Sequence, residues 1–111
     1  MAIGGIRTKF IATIKHVNGA SGSTKTIDWD NGLLQQIAMT DNCTFTLSNP
    51  EVGIYRLIIN NNDQFGPYTA TWPATVKWAS GISPTFTKDR FVRIELDYDG
   101  INYYANWNEY Y

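Results

Sequence analysis

With 111 residues, ten acidic and nine basic side chains and a net charge of −1, the chain has the length of one domain that buries roughly two-thirds of its unfolded surface. Its Lys and Arg residues are scattered singly from Arg7 to Arg93, which leaves no basic field to track phosphates and argues against nucleic-acid binding. The lone cysteine, Cys43, excludes an intrachain disulfide framework, and no apolar window is long enough for membrane insertion or for a secretory signal, so export by lysis rather than secretion is expected.

In chain order, residues 1–9 read as an N-terminal arm, mobile over 1–5 because of Gly4-Gly5, ahead of a single β domain spanning 10–111. Residues 10–17 predict a first strand and 18–23, rich in Gly and Ser, a flexible connection. Ile27-Asp28-Trp29 reads as a short strand, Asp30-Asn31-Gly32 as a turn and 33–39 as the next strand. Thr40-Asp41-Asn42 then predicts a three-residue hairpin loop that sets Met39 opposite Cys43 and Ile37 opposite Phe45; a two-residue loop at Asp41-Asn42 would instead pair Gln36 with Leu47. Further on, 49–51 predict a turn, 53–60 an apolar strand, 61–67 a polar loop and 68–72 a return to the sheet.

From Trp72 to Thr85 the chain reads W-P-A-T-V-K-W-A-S-G-I-S-P-T. Two prolines and a glycine at this spacing rule out a helix, and Pro73 and Pro84 belong at strand ends or corners. Trp29, Trp72, Trp78 and Trp107 are the expected anchors of the fold or of a subunit interface. Over 90–98 Val92, Ile94, Leu96 and Tyr98 alternate with Arg93, Glu95 and Asp97. A two-residue turn at Asp99-Gly100 would then pair Tyr98 with Ile101, Leu96 with Tyr103, Ile94 with Ala105, Val92 with Trp107 and Arg90 with Glu109. About eight to ten short strands without a helix predict an all-β antiparallel β-sandwich, jelly-roll-like.

Few side chains point to chemistry. His16 is the only histidine and Cys43 the only cysteine, so paired-histidine metal sites are absent and Cys43, alternating with Phe45 and Leu47, reads as a small core hydrophobe. Asp28-Trp29-Asp30-Asn31-Gly32 imitates the start of a calcium loop, but Met39 stands where the bidentate glutamate would be. Irregular cation binding by this turn or by residues 60–63 stays open. Glu95 and Asp97 lie on one strand face about 7 Å apart by strand geometry, a spacing acid–base pairs use, although Arg93 beside them favours a solvated face. No catalytic residue, cofactor or metal is therefore expected. Tyr104 on the polar face and Tyr110-Tyr111 beyond it are candidate surface-contact aromatics.

Taken in order, Asp28-Trp29-Asp30-Asn31-Gly32-Leu33, the Thr-rich stretch 43–47, Asn49-Pro50, Gly53-x-Tyr55-x-Leu57, the Trp72-Pro73 to Pro84-Thr85 segment and Tyr98-Asp99-Gly100-x-x-Tyr103-Tyr104 resemble the small β-sandwich modules of tailed-bacteriophage virion proteins. The resemblance spans roughly residues 25–104 and implies a virion component, often trimeric, placed on the capsid surface or at a fibre or spike tip. Fewer than thirty residues precede the module, too few for a fibre stalk, which favours a capsid decoration protein docking through residues 1–9 onto other virion proteins. Recognition of a host surface glycan or protein is the alternative, and a polysaccharide depolymerase a distant one that would need a cleft with poised carboxylates.

Overall fold

The computed structural model describes residues 14–61 and 65–111. The expected arm at 1–9 and the first half, 10–13, of the strand expected at 10–17 lie outside the described residues. Nine strands and two short 3-10 turns, with no α-helix, make up the described chain: β1 (His16–Ala20), β2 (Thr24–Asp28), β3 (Leu34–Ala38), β4 (Cys43–Ser48), β5 (Gly53–Asn61), β6 (Ala70–Thr71), β7 (Val76–Trp78), β8 (Arg90–Tyr98) and β9 (Tyr103–Tyr110). The protein is all-β.

Successive strands do not pair with one another over the first half. Odd-numbered β1, β3 and β5 run parallel in one sheet and even-numbered β2, β4 and β6 run parallel in a second. The chain therefore crosses from sheet to sheet at each corner and returns one strand further along. Three short coils stack in this way, the geometry of a β-solenoid. Their corners stack too. Ser21 N donates to Ala38 O at 2.8 Å, Met39 N to Asn60 O at 2.8 Å, and Cys43 N to Thr69 O at 3.0 Å. Side chains reinforce the stack, since Thr40 N donates to Ser21 Oγ, Gly22 N to Thr40 Oγ1 and Thr69 N to Asn42 Oδ1.

Beyond β5 the sheet changes direction. β8 pairs antiparallel with β5 over its whole length, from Gly53 opposite Tyr98 to Asn61 opposite Arg90, β9 pairs antiparallel with β8, and β7 closes the edge parallel to β9. The result is a mixed six-stranded sheet in the order β1-β3-β5-β8-β9-β7 facing a three-stranded sheet, β2-β4-β6. Strand alternation turns one set of side chains inward. Ile37, Leu57, Ile59, Val92, Ile94 and Leu96 of the larger sheet and Ile27, Cys43 and Phe45 of the smaller are all buried in one core.

Five expectations are corrected. The sheets are mixed rather than antiparallel. The hairpin at Thr40-Asp41-Asn42 does not form, because β3 and β4 belong to different sheets and Met39 and Cys43 turn into the core from either side of a corner. Asn18, Gly19 and Ala20 belong to β1 rather than to a connection, and the strand expected at 27–29 ends at Asp28, with Trp29–Asn31 forming a 3-10 turn. The C-terminal hairpin does form, but with a four-residue loop, so Tyr98 faces Tyr103, Leu96 faces Ala105 and Ile94 faces Trp107. That register differs from the expected one by two residues, which keeps the inward side chains of β8 and β9 on their face but moves Ile101, expected inward opposite Tyr98, into the exposed loop.

Asp99 selects the longer loop. Its carboxylate accepts hydrogen bonds from Ile101 N and Asn102 N, both at 2.8 Å, and its own N–H donates to Asn102 O. Gly100 supplies the left-handed backbone, with φ 103°, that this closure requires. The backbone donors of Asn102 and Ile101 hold the Asp99 carboxyl below its ordinary range. Its stabilising contribution is accordingly present above the unfolded carboxylate range near pH 4 and is lost as pH falls through the lower folded value. Wild type is expected to melt above Asp99→Asn at pH 6, with the gap closing as pH drops toward 2; a gap independent of pH would contradict the ionised turn. Leu57, fully buried on β5, is expected to cost about 2–5 kcal/mol when truncated to Ala, measured by urea unfolding; a loss under about 1 kcal/mol would displace β5 from the centre of the core.

Candidate functional site

The four expected anchors do not converge on one place. Trp29, at the corner between β2 and β3, is buried and stacks on Tyr55 with ring centroids 4.4 Å apart. Its indole N–H donates to the Tyr103 hydroxyl at 3.1 Å. Trp72 lies against Phe45 at 4.6 Å and meets Trp78 edge-on at 5.4 Å, forming an aromatic row from buried Phe45 of the smaller sheet to Trp78 of the larger, with both tryptophans partly buried. Its own Nε1 is buried with no hydrogen-bond partner among the described residues. Trp107 packs partly buried on β9 and donates from Nε1 to Ile82 O at 3.0 Å, pinning the 79–85 segment to the hairpin. These rings account for packing at three separate places.

The residues weighed for chemistry are similarly placed. Cys43 is buried with its thiol pointing toward Ser21 O, and burial pushes its pKa up, the opposite of what a nucleophile requires. His16 opens β1 at the sheet edge. Asp28 Oδ1 accepts from Asp30 N and from Asn49 Nδ2, both at 3.0 Å, and the Asn49 bond followed by the backbone bond holds its carboxyl below the ordinary range. The turn that imitates a calcium loop thus satisfies its carboxylate internally. Among the described residues no group of three or more His, Cys, Asp or Glu gathers. Asn60 and Asn61 are buried, and residues 62 and 63 lie outside the described part.

The open surface of interest is the outer face of the six-stranded sheet. Pairing sets Arg56 of β5 beside Glu95 of β8 and Asn106 of β9, and in the next row Ile58 beside Arg93 and Asn108. Arg56 Nη2 reaches Glu95 Oε2 at 3.3 Å, both half exposed, a pair worth little to stability in water. Asp97 stands between Ile54 and Tyr104. Tyr104, Tyr110 and Tyr111 are all exposed, and the Arg90 guanidinium lies 3.9 Å from the Tyr111 ring. The Glu95 and Asp97 pair is therefore one edge of a mixed-charge lattice, with Glu95 already engaged by Arg56. Outward alternation of β8 and β9 was readable in the sequence. Arg56 was not, since nothing local says that β5 lies next to β8, and a two-residue turn would place Asn106 opposite Arg93 where the four-residue loop places Asn108.

A second exposed feature occupies one end of the same sheet. Ile14 precedes β1, Leu33 precedes β3, Val52 precedes β5, and Ile101 lies in the loop joining β8 to β9; the pairings of these strands bring all four segments to one end, where Ile54 adds a further exposed aliphatic. Exposed aliphatics gathered at one end are the pattern of an interaction surface rather than of scattered surface residues.

No protein-family model, no curated protein and no solved structure matches this chain.

Tyr103 provides a direct check on the buried aromatic arrangement. Burial pushes its phenol up to about 12, partly opposed by the Trp29 donor. A tyrosine whose folded pKa is raised contributes stability that is complete below the unfolded value near 10 and is lost as pH rises through the folded one. Absorbance titration at 295 nm is expected to show one phenol ionising last, near 12 and together with alkaline unfolding. If Tyr103→Phe removed instead a phenol titrating near 10, Tyr103 would lie at the surface.

Proposed function

We propose that the chain is a bacteriophage virion structural protein, and within that class a capsid decoration protein that assembles as a homotrimer on the head surface. The resemblance of the ordered motifs to phage virion modules suggests the class. The observation that carries the placement is the aliphatic end formed by Ile14, Leu33, Val52, Ile54 and Ile101. Docking of residues 1–9 onto the same lattice is part of this reading. Burying exposed aliphatics against a preformed shell stabilises attachment by about 25 cal/mol per Å². Two sheets enclosing one core suit a sandwich description, jelly-roll-like in the loose sense that the chain wraps alternately from one sheet to the other. In this reading the protein has no catalytic role.

The exposed rings of Tyr104, Tyr110 and Tyr111 favour a second reading, a fibre- or spike-tip module that binds a host surface glycan or protein. The two make different demands. Val52→Asp with Ile101→Asp, both on exposed loops, is expected to leave the melting temperature unchanged while lowering incorporation into heads by about tenfold or more. Immunogold electron microscopy of lysate particles is expected to label the whole head. Label confined to tail or fibre ends would transfer the assignment to the second reading, and unlabelled particles in a lysate containing the free protein would overturn both.

A further inference from the structure

On the outer face of the six-stranded sheet, we propose a binding groove for an acidic saccharide chain, in which Arg93 takes the sugar carboxylate, Glu95, Asn106 and Asn108 take hydroxyls, and Tyr110 stacks on a ring. The proposal deepens the receptor-binding alternative and requires only that this face be open; its failure leaves the head-surface reading where it stands.

The shape comes first. Arg56, Arg93, Glu95, Asn106, Asn108 and Tyr110 line a shallow open concavity with Ile58 in its wall. A second hollow, under Tyr104 and beside Lys77 and Asp97, shares Glu95 and Asn106 with it. The two form one trough along β8 and β9. From Tyr104 to Tyr110 it follows six residues of one strand, about 20 Å at the ordinary strand rise. Elongated, open and bounded by a ring at each end, it suits a chain-like ligand better than a compact metabolite, which would be enclosed on most sides.

The floor then selects the chemistry. Asn106 and Asn108 each offer two donors and an acceptor, and Glu95 offers acceptors, so a ligand dense in hydroxyls can be met in both senses. Tyr104 and Tyr110 present amphipathic rings that bury apolar faces while leaving the phenol wet. The two arginines differ. Arg56 is held by Glu95 at 3.3 Å, whereas Arg93 forms no ion pair among the described residues. Its planar fork is therefore free for a carboxylate, which a guanidinium binds in a bidentate manner. Nucleic acid and other polyphosphates are disfavoured, because Glu95 and Asp97 lie beside Arg93 and would repel a string of phosphates.

The test uses the recombinant full chain. Isothermal titration and amide chemical-shift mapping would be run with oligogalacturonate, oligosialate and neutral maltohexaose. At least one acidic oligomer is expected to bind saturably and perturb β8 and β9, with the neutral chain weaker by about tenfold or more. Arg93→Gln is expected to weaken binding by about tenfold and Arg93→Lys, which keeps charge but loses the fork, by less. Tyr110→Ala is expected to weaken it severalfold with the melting temperature preserved, since both side chains are exposed. Absence of saturable binding by both acidic oligomers would overturn the proposal. So would equal affinity for the neutral chain, or full affinity in Arg93→Gln.

Discussion

The structure depends on β5 being able to serve two kinds of neighbour at once. On one side it continues the parallel stack begun by β1 and β3, with Leu34 opposite Arg56 and Ala38 opposite Asn60; on the other it starts an antiparallel ladder with β8. Its inward residues Tyr55, Leu57 and Ile59 are buried, and the 2.8 Å bond from Met39 N to Asn60 O ties its far end to the neighbouring corner. Both halves of the fold gain their shared core through this strand. Burial on this scale far outweighs the individual cross-strand side-chain pairs, which contribute only about 0.2–1 kcal/mol each.

Polar groups inside the coils fix how they stack. Gln35 is fully buried, and its amide nitrogen donates to Asp28 O at 2.7 Å and Gly32 O at 3.0 Å while its carbonyl accepts from Asn18 Nδ2 at 3.1 Å. One side chain thereby joins β1, β3 and the 3-10 corner, and a stack displaced by one residue would leave that amide without partners in the core. Tyr55 does similar work at another corner, donating to Glu51 O and accepting from Glu51 N. The edge strand β1 carries a register irregularity between Val17 and Ala20 and the left-handed Gly19. Such departures from regular pleating discourage further pairing at an open edge.

What the sequence revealed followed the physics of local alternation. Inward and outward faces of β8 and β9 were correct because a period of two needs no knowledge of the partner, and the two-residue error in loop length left those faces intact. Partner choice was not legible. A short polar segment such as Thr40-Asp41-Asn42 can turn a chain back on the same sheet or carry it across to another, and turn composition is the same for both. The coils share no residue pattern from one to the next, so the parallel stack gave no repeat to find. The outer-face lattice was half visible for the same reason: Arg93, Glu95 and Asp97 are neighbours on one strand, whereas Arg56 joins them only through the β5–β8 pairing. The tryptophans were recognisable as anchors by size, but their separate roles at Tyr55, at Phe45 and at Ile82 come from tertiary packing alone.

The order of the strands along the chain has a consequence for synthesis. Coils β1 to β6 leave the ribosome before β8 and β9, yet the flank of β5 that completes the larger sheet is supplied by β8. Until then, nascent β5 presents an unpaired, strongly apolar edge, the kind of surface that draws intermediates into aggregates. The hairpin, by contrast, is local and closes through the Asp99 loop on its own timescale of microseconds. The hairpin, made after the coils, thus forms quickly, and its arrival supplies the antiparallel half of a waiting sheet. Completion of the larger sheet therefore waits on a segment made after the coils, and the exposure of β5 lasts as long as that delay.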